Sequence, residues 1–251
     1  MVKKRKKADK TLVFKWLAAI LLTLLAGLLV MALAMGLKPE AQPKTTEPMP
    51  REKWAGIDVS SHQGAIDWAQ VAESGVEFAM IRLGYRGYDT GTLHIDRRAA
   101  ENLVLAREAG LKIGAYFFSQ ALNAEEARQE AALALEVLSG IELDLPLAYD
   151  WEFVSESART GAMTESALTE CIHAFCGAVE QAGYGSMIYF NRELDRTLLN
   201  LNKVDRYPFW LAQYKPELDF RRPVTMWQHT DQGRVPGIEE AVDLNWYYPQ
   251  G

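Results

Sequence analysis

The stretch Leu145–Phe153 reads "LPLAYDWEF", and the architecture of the chain follows from how it is understood. Its opening is apolar, as a strand inside a covered sheet requires, yet it finishes on Asp150 and Glu152 with Trp151 between them. Residues i and i+2 of a strand share a face, so the two carboxylates point one way and Trp151 the other. Two acids on one face repel each other and resist burial, which places them where the sheet opens.

Similar runs recur on both sides, at 54–60 ("WAGIDVS"), 78–84, 112–118, 146–152, 186–190, 208–214, 224–230 and 241–247. Helical patterns separate the earlier ones, most clearly at 96–110 and 123–140, each opened by a polar residue and followed by glycine. Short apolar strands alternating with helices predict a parallel sheet covered by helices. About eight strands, the last three with little helix between them, predict a modified TIM-like β/α barrel over residues 54–251 with its late helices missing. Active sites of such barrels collect at the C-terminal strand ends. The polar residues expected there are Asp58 with His62, Arg82, the Ser119-Gln120 of "FFSQA", Asp150 with Glu152, Gln213 with Tyr214, Gln228 with His229, and Asp243 with Asn245.

Charge divides the chain. Residues 1–15 hold seven Lys or Arg against Asp9, whereas the remainder carries 20 basic and 32 acidic residues, a formal charge of −12. A body this acidic is unsuited to nucleic acid, which needs a basic surface. From Trp16 to Leu37 run 22 residues without a charge, enough to span about 30 Å of hydrocarbon as a helix. Basic residues before such a span stay in the cytoplasm. The expectation is a cytoplasmic head (1–15), a single transmembrane anchor (16–37), a Pro-rich tether (38–53) and an extracytoplasmic domain. Ala32-Leu33-Ala34 resembles a cleavage site and supplies the alternative, a secreted domain. Cys171 and Cys176 lie five apart in one helical pattern, farther apart than the ~7 Å a disulfide tolerates, and are read as small buried apolar residues.

Two carboxylates held close share protons unequally. That division suits glycoside hydrolysis, which needs a protonated acid for the leaving oxygen and an anion facing the oxocarbenium-like centre. Mg²⁺ or Ca²⁺ is the rival occupant of four convergent acids. Zinc has little support, since no His-Glu-x-x-His occurs and the histidines are scattered, and a serine hydrolase lacks its Gly-x-Ser-x-Gly elbow. Aromatic residues near the strand ends (Tyr116, Phe118, Trp151, Tyr189, Trp210, Tyr214 and Trp227) offer flat faces to pyranose rings, although each could equally be core.

The segments "GIDVSSHQGAIDW", "FAMIRLGYRG", "AGLKIGAYFFSQA", "LPLAYDWE", "WLAQY" and "VTMWQHT…VPGIEEAVDLN" resemble, in order, the motifs of family 25 glycoside hydrolases, the N-acetylmuramidase lysozymes. The resemblance runs from about Gly56 to Trp246. It implies a muramidase cleaving the β-1,4 bond between N-acetylmuramic acid and N-acetylglucosamine, without cofactor or metal, acting as a monomer on peptidoglycan. It implies Glu152 as general acid and Asp150 as anionic partner, acting directly or through the substrate's N-acetyl group. Asp58 and Asp243 would complete the acidic floor. Tyr116, Phe118, Tyr189, Trp210, Gln213, Tyr214, Gln228 and His62 are the expected substrate contacts. One departure is visible: Tyr116-Phe117-Phe118 stands where many members carry aromatic-His-Phe. The alternatives are a wall-binding barrel without catalysis, or a hydrolase of another polysaccharide.

Overall fold

Alternation of period two organises residues 52–249, the part of the chain that the computed structural model describes. The strands are β1 (Trp54–Val59), β2 (Phe78–Arg86), β3 (Leu93–Ile95), β4 (Lys112–Ser119) and β5 (Leu147–Trp151). They continue as β6 (Ser186–Asn191), β7 (Phe209–Ala212), β8 (Met226–Gly233) and β9 (Val242–Tyr247). Eight of them close a barrel in the order β1-β2-β4-β5-β6-β7-β8-β9, with β9 returning to β1, while the short β3 pairs antiparallel with the end of β2. Every expected strand is present. The all-parallel expectation fails at one place, because β9 runs antiparallel to both neighbours.

Helices cover the barrel where the chain crosses over between parallel strands. They are α1 (Trp68–Glu73), α2 (Ala99–Glu108), α3 (Ala124–Val137), α4 (Glu165–Gln181) and α5 (Arg192–Thr197). The Asn123 side chain opens α3 by accepting from the N–H groups of Glu125 and Glu126, and Thr164 caps α4 through the N–H of Ala167. No described helix separates β7 from β8 or β8 from β9. A strand that reverses direction needs no crossover helix, which accounts for the β8–β9 connection; β7 and β8 are parallel and are joined by residues 213–225 without one. No described helix is long and apolar enough to cross a membrane, and the 16–37 segment lies outside the described residues.

The alternation sorts side chains into two cores. Outward-facing Ile57, Ile81, Phe117, Tyr149, Trp151, Phe190 and Leu211 pack with the helices. Cys171 and Cys176 join them from α4 as buried free thiols. Inward-facing Phe78, Met80, Ala148, Met187, Trp210 and Met226 plug the barrel. Phe117 thus belongs to the helix layer, so the departure from aromatic-His-Phe alters the outer core and not the groove. Gly56 leaves space inside the plug, where a Cβ would collide with the Phe78 ring. Gly56→Ala is expected to destabilise the domain by about 1–3 kcal/mol through overpacking. Gly185→Ala, whose Cβ would meet nothing closer than Pro146 at 3.7 Å, should stay within about 0.5 kcal/mol. Paired thermal melts of the two variants check this.

Candidate active site

One step along each strand above the plug, the inward positions turn polar. Met80 is followed by Arg82, Ala148 by Asp150 and then Glu152, Met226 by Gln228, and Gly56 by Asp58. These residues line a cavity of about 260 Å³ together with Ser60, His62, Gln63, Tyr116, Phe118, Tyr189, Trp210, Tyr214 and Asp243. Asp243 reaches it by an unexpected route. It lies near the start of its strand, and arrives at the mouth because β9 is reversed, which sets it directly opposite Asp58.

The floor is a hydrogen-bonded assembly. Asp58 Oδ2 accepts from the amides of Asn245 at 2.7 Å and Gln228 at 2.9 Å. Gln228 Oε1 in turn accepts from the hydroxyls of Tyr214 at 2.9 Å and Tyr189 at 3.2 Å. Trp210 Nε1 donates to Asn245 Oδ1 at 2.8 Å. A cation bound at Asp58 Oδ2 would meet two amide N–H groups already aimed there, which disfavours the Mg²⁺ or Ca²⁺ reading. Arg82 is the one permanent cation among the described residues lining the mouth. Asp96 holds it at 2.8 Å, and Asp96 is itself fixed by the Ser61 N–H at 3.0 Å.

Four acids in one buried mouth cannot all ionise. Burial and then the charge of Asp58 push Asp243 up to about 8, so this carboxyl keeps a proton near neutrality and shares it with Asp58. Burial also raises Asp58, against the opposing amides of Asn245 and Gln228. Glu152 is raised by burial, with the Tyr189 hydroxyl opposing. Asp150 is raised well above the carboxylate range, first by burial and then by the charges of Glu152 and Asp58, with Arg82 opposing. The simple division into an ionised Asp150 and a protonated Glu152 therefore does not describe the free mouth. Asp150 Oδ1 is also buried without a hydrogen-bond partner.

The remaining expected contacts divide. Tyr116, Phe118, Tyr189, Trp210, Tyr214, Gln228 and His62 line the mouth. Gln213 does not; its amide clamps the following loop through the backbone of Asp219, accepting at 2.8 Å and donating at 3.1 Å. His229 also falls outside, stacked on Trp246 against a separate cavity. Trp151 and Trp227 face the outer core.

The sequence puts Gln120 at a strand end but does not show it as the support behind Glu152. Fully buried Gln120 donates to the Glu152 carbonyl at 2.8 Å and accepts from the Thr160 hydroxyl at 2.6 Å. Arg159 bonds the Gln120 carbonyl at 2.8 Å and pairs with Glu126 at 2.7 Å. The only sequence signal was a polar Gln directly after an apolar strand. Removing this amide strands buried partners, at about 1–3 kcal/mol for each unsatisfied group. Gln120→Ala is expected to lower the melting temperature and also kcat, as the Glu152 backbone loses its tie; unchanged kcat at a temperature where the variant is folded would refute that tie.

A barrel whose mouth gathers carboxylates and aromatic rings is the architecture of a glycoside hydrolase. Residues 57–238 match the family described as Glycosyl hydrolases family 25, and the chain belongs to that family. It is 30% identical over 193 residues to the autolytic lysozyme of Clostridium acetobutylicum, covering 76% of this chain and 54% of that one. It is similar to the modular autolysin LytC of Streptococcus pneumoniae, whose structure was determined with a synthetic peptidoglycan ligand. The TM-score there is 0.69 at 27% identity, over 78% of this chain and 47% of that one. The bacterial lysozyme of Streptomyces coelicolor superposes with a TM-score of 0.68 at 25% identity, over 79% and 93% of the two chains. The chain thus spans about half the length of the first two relatives.

Proposed function

We propose that the domain is a muramidase that hydrolyses the β-1,4 bond between N-acetylmuramic acid and N-acetylglucosamine in peptidoglycan. The observation that carries this reading is the convergence of Asp58, Asp150, Glu152 and Asp243 on one cavity ringed by Tyr116, Phe118, Tyr189 and Tyr214. Family membership and lysozyme relatives support the substrate class.

Glu152 is the general acid. It stands one alternation nearer the opening than Asp150, and burial keeps its proton available above the usual carboxylate range. Asp150 is the partner that faces the reacting sugar. Its unpartnered Oδ1 suits an acetamido N–H of the substrate, and such a donor favours the anion that burial suppresses in the free mouth. An acetamido group held in this way presents its carbonyl oxygen to the anomeric carbon as the leaving oxygen takes the Glu152 proton. Asp58 and Asp243 hold one shared proton below and spare the mouth a further charge.

Glu152→Gln keeps the shape but cannot deliver a proton, so kcat on cell wall should fall about 10²–10⁴-fold. An aryl glycoside, whose leaving group needs less protonation, should rescue Glu152→Gln far more than Asp150→Asn. Activity needs Glu152 protonated and therefore declines as pH rises through its raised pKa; the Gln variant should lose that alkaline limb. Near-parent wall hydrolysis by Glu152→Gln would refute the assignment.

Residues 16–37 anchor the domain to the cell membrane in a single pass, with the domain outside; an uncharged 22-residue run behind seven basic residues supports this. Protease added to intact cells should release the domain by cutting within residues 38–53 and leave the N-terminus protected. Recovery of all the protein from the medium, beginning near Met35, would contradict the anchor.

A further inference from the structure

Beside the mouth lies a second cavity of about 380 Å³ that shares Glu152, Tyr189 and Tyr214 with it. Its wall differs in charge. Three cations, Arg192, Arg196 and Lys215, line it, against the single further acid Glu193. This is unusual in a chain whose residues 16–251 carry a formal charge of −12. Arg192 is held in place: Nη1 bonds Asp195 at 2.8 Å, and the guanidinium lies 4.8 Å from the Phe220 ring centre. Its Nε is buried without a partner. Lys215 is paired with Asp219 at 3.0 Å but keeps further donors. Exposed Arg196 makes no ion pair among the described residues.

We propose that this cavity is a subsite for the anionic stem peptide of a muramyl residue bound at Glu152. The inference rests on the muramidase reading and adds to it the part of the substrate that these cations recognise. A muramyl ring differs from its neighbour by a lactyl ether that carries a peptide with free carboxylates. The acid-lined mouth is a poor host for those carboxylates, while Arg192, Arg196 and Lys215 attract them on one side only. Such complementarity fixes register more than raw affinity. A glycan strand threaded one sugar out of step would offer the cations an N-acetylglucosamine, which has no carboxylate. The subsite thus helps decide which of the two alternating bonds meets Glu152.

The test compares full-chain parent and the double variant Arg192→Gln/Arg196→Gln on stem-bearing glycan strands and on the same strands stripped of peptide by an amidase, with the lactyl carboxylate that the amidase leaves converted to its amide. Losing charge-assisted contacts to a carboxylate should lower kcat/KM on stem-bearing strands by roughly tenfold. Cleavage of stripped strands should be unchanged, which also shows the variant to be folded. An equal loss on both substrates, or no loss on either, would overturn the subsite while leaving the muramidase reading intact. Parent protein that cleaves neither strand would overturn both.

Discussion

The pairing of Asp58 with Asp243 is the constraint on which the rest of the mouth depends. The two acids sit directly opposite each other across an antiparallel strand pair, where like charges destabilise a sheet. The conflict is resolved by a proton. Asp243, pushed up to about 8, holds it, and Asp58 receives two amide hydrogens from Asn245 and Gln228 in addition. Closure of the barrel and the acidity of its floor are therefore one feature. The strand that seals the barrel must bring Asp243 with it.

Below that pair the plug of Met80, Met187, Trp210 and Met226 keeps water from the barrel interior. An apolar plug makes every charge above it costly. Desolvation is accordingly the first cause of the raised carboxyls at Asp58, Asp150, Glu152 and Asp243. Arg82 is the counterweight to Asp150, and Asp96 holds it in place. The mouth is thus set to retain protons until a substrate supplies hydrogen-bond donors.

Much of this was legible in the sequence for simple reasons. Strand positions follow from short apolar runs, and the shared face of Asp150 and Glu152 follows from a period of two. Strand direction carries no such signal, because "AVDLNWY" reads alike in either orientation. The reversal of β9 was therefore missed, and Asp243 was expected at the right end of the barrel for the wrong reason. Gln213 and Gln228 show the same limit. Both are glutamines on neighbouring strand runs, yet Gln213, just past β7, clamps a loop and Gln228, within β8, braces Asp58. Pattern gives the face of a side chain but not its partner. Gln120, the tie behind Glu152, was hidden because its importance lies in contacts with residues 32 and 40 positions away.

If these four carboxylates cleave one of two alternating β-1,4 bonds by hydrolysis, the new fragment ends reveal it. Mass spectrometry of borohydride-reduced fragments, after the protein has digested purified peptidoglycan, tests it most directly. Muramidase action yields fragments ending in reduced N-acetylmuramic acid. Fragments ending in reduced N-acetylglucosamine, or in a 1,6-anhydro sugar that borohydride leaves untouched, would contradict it.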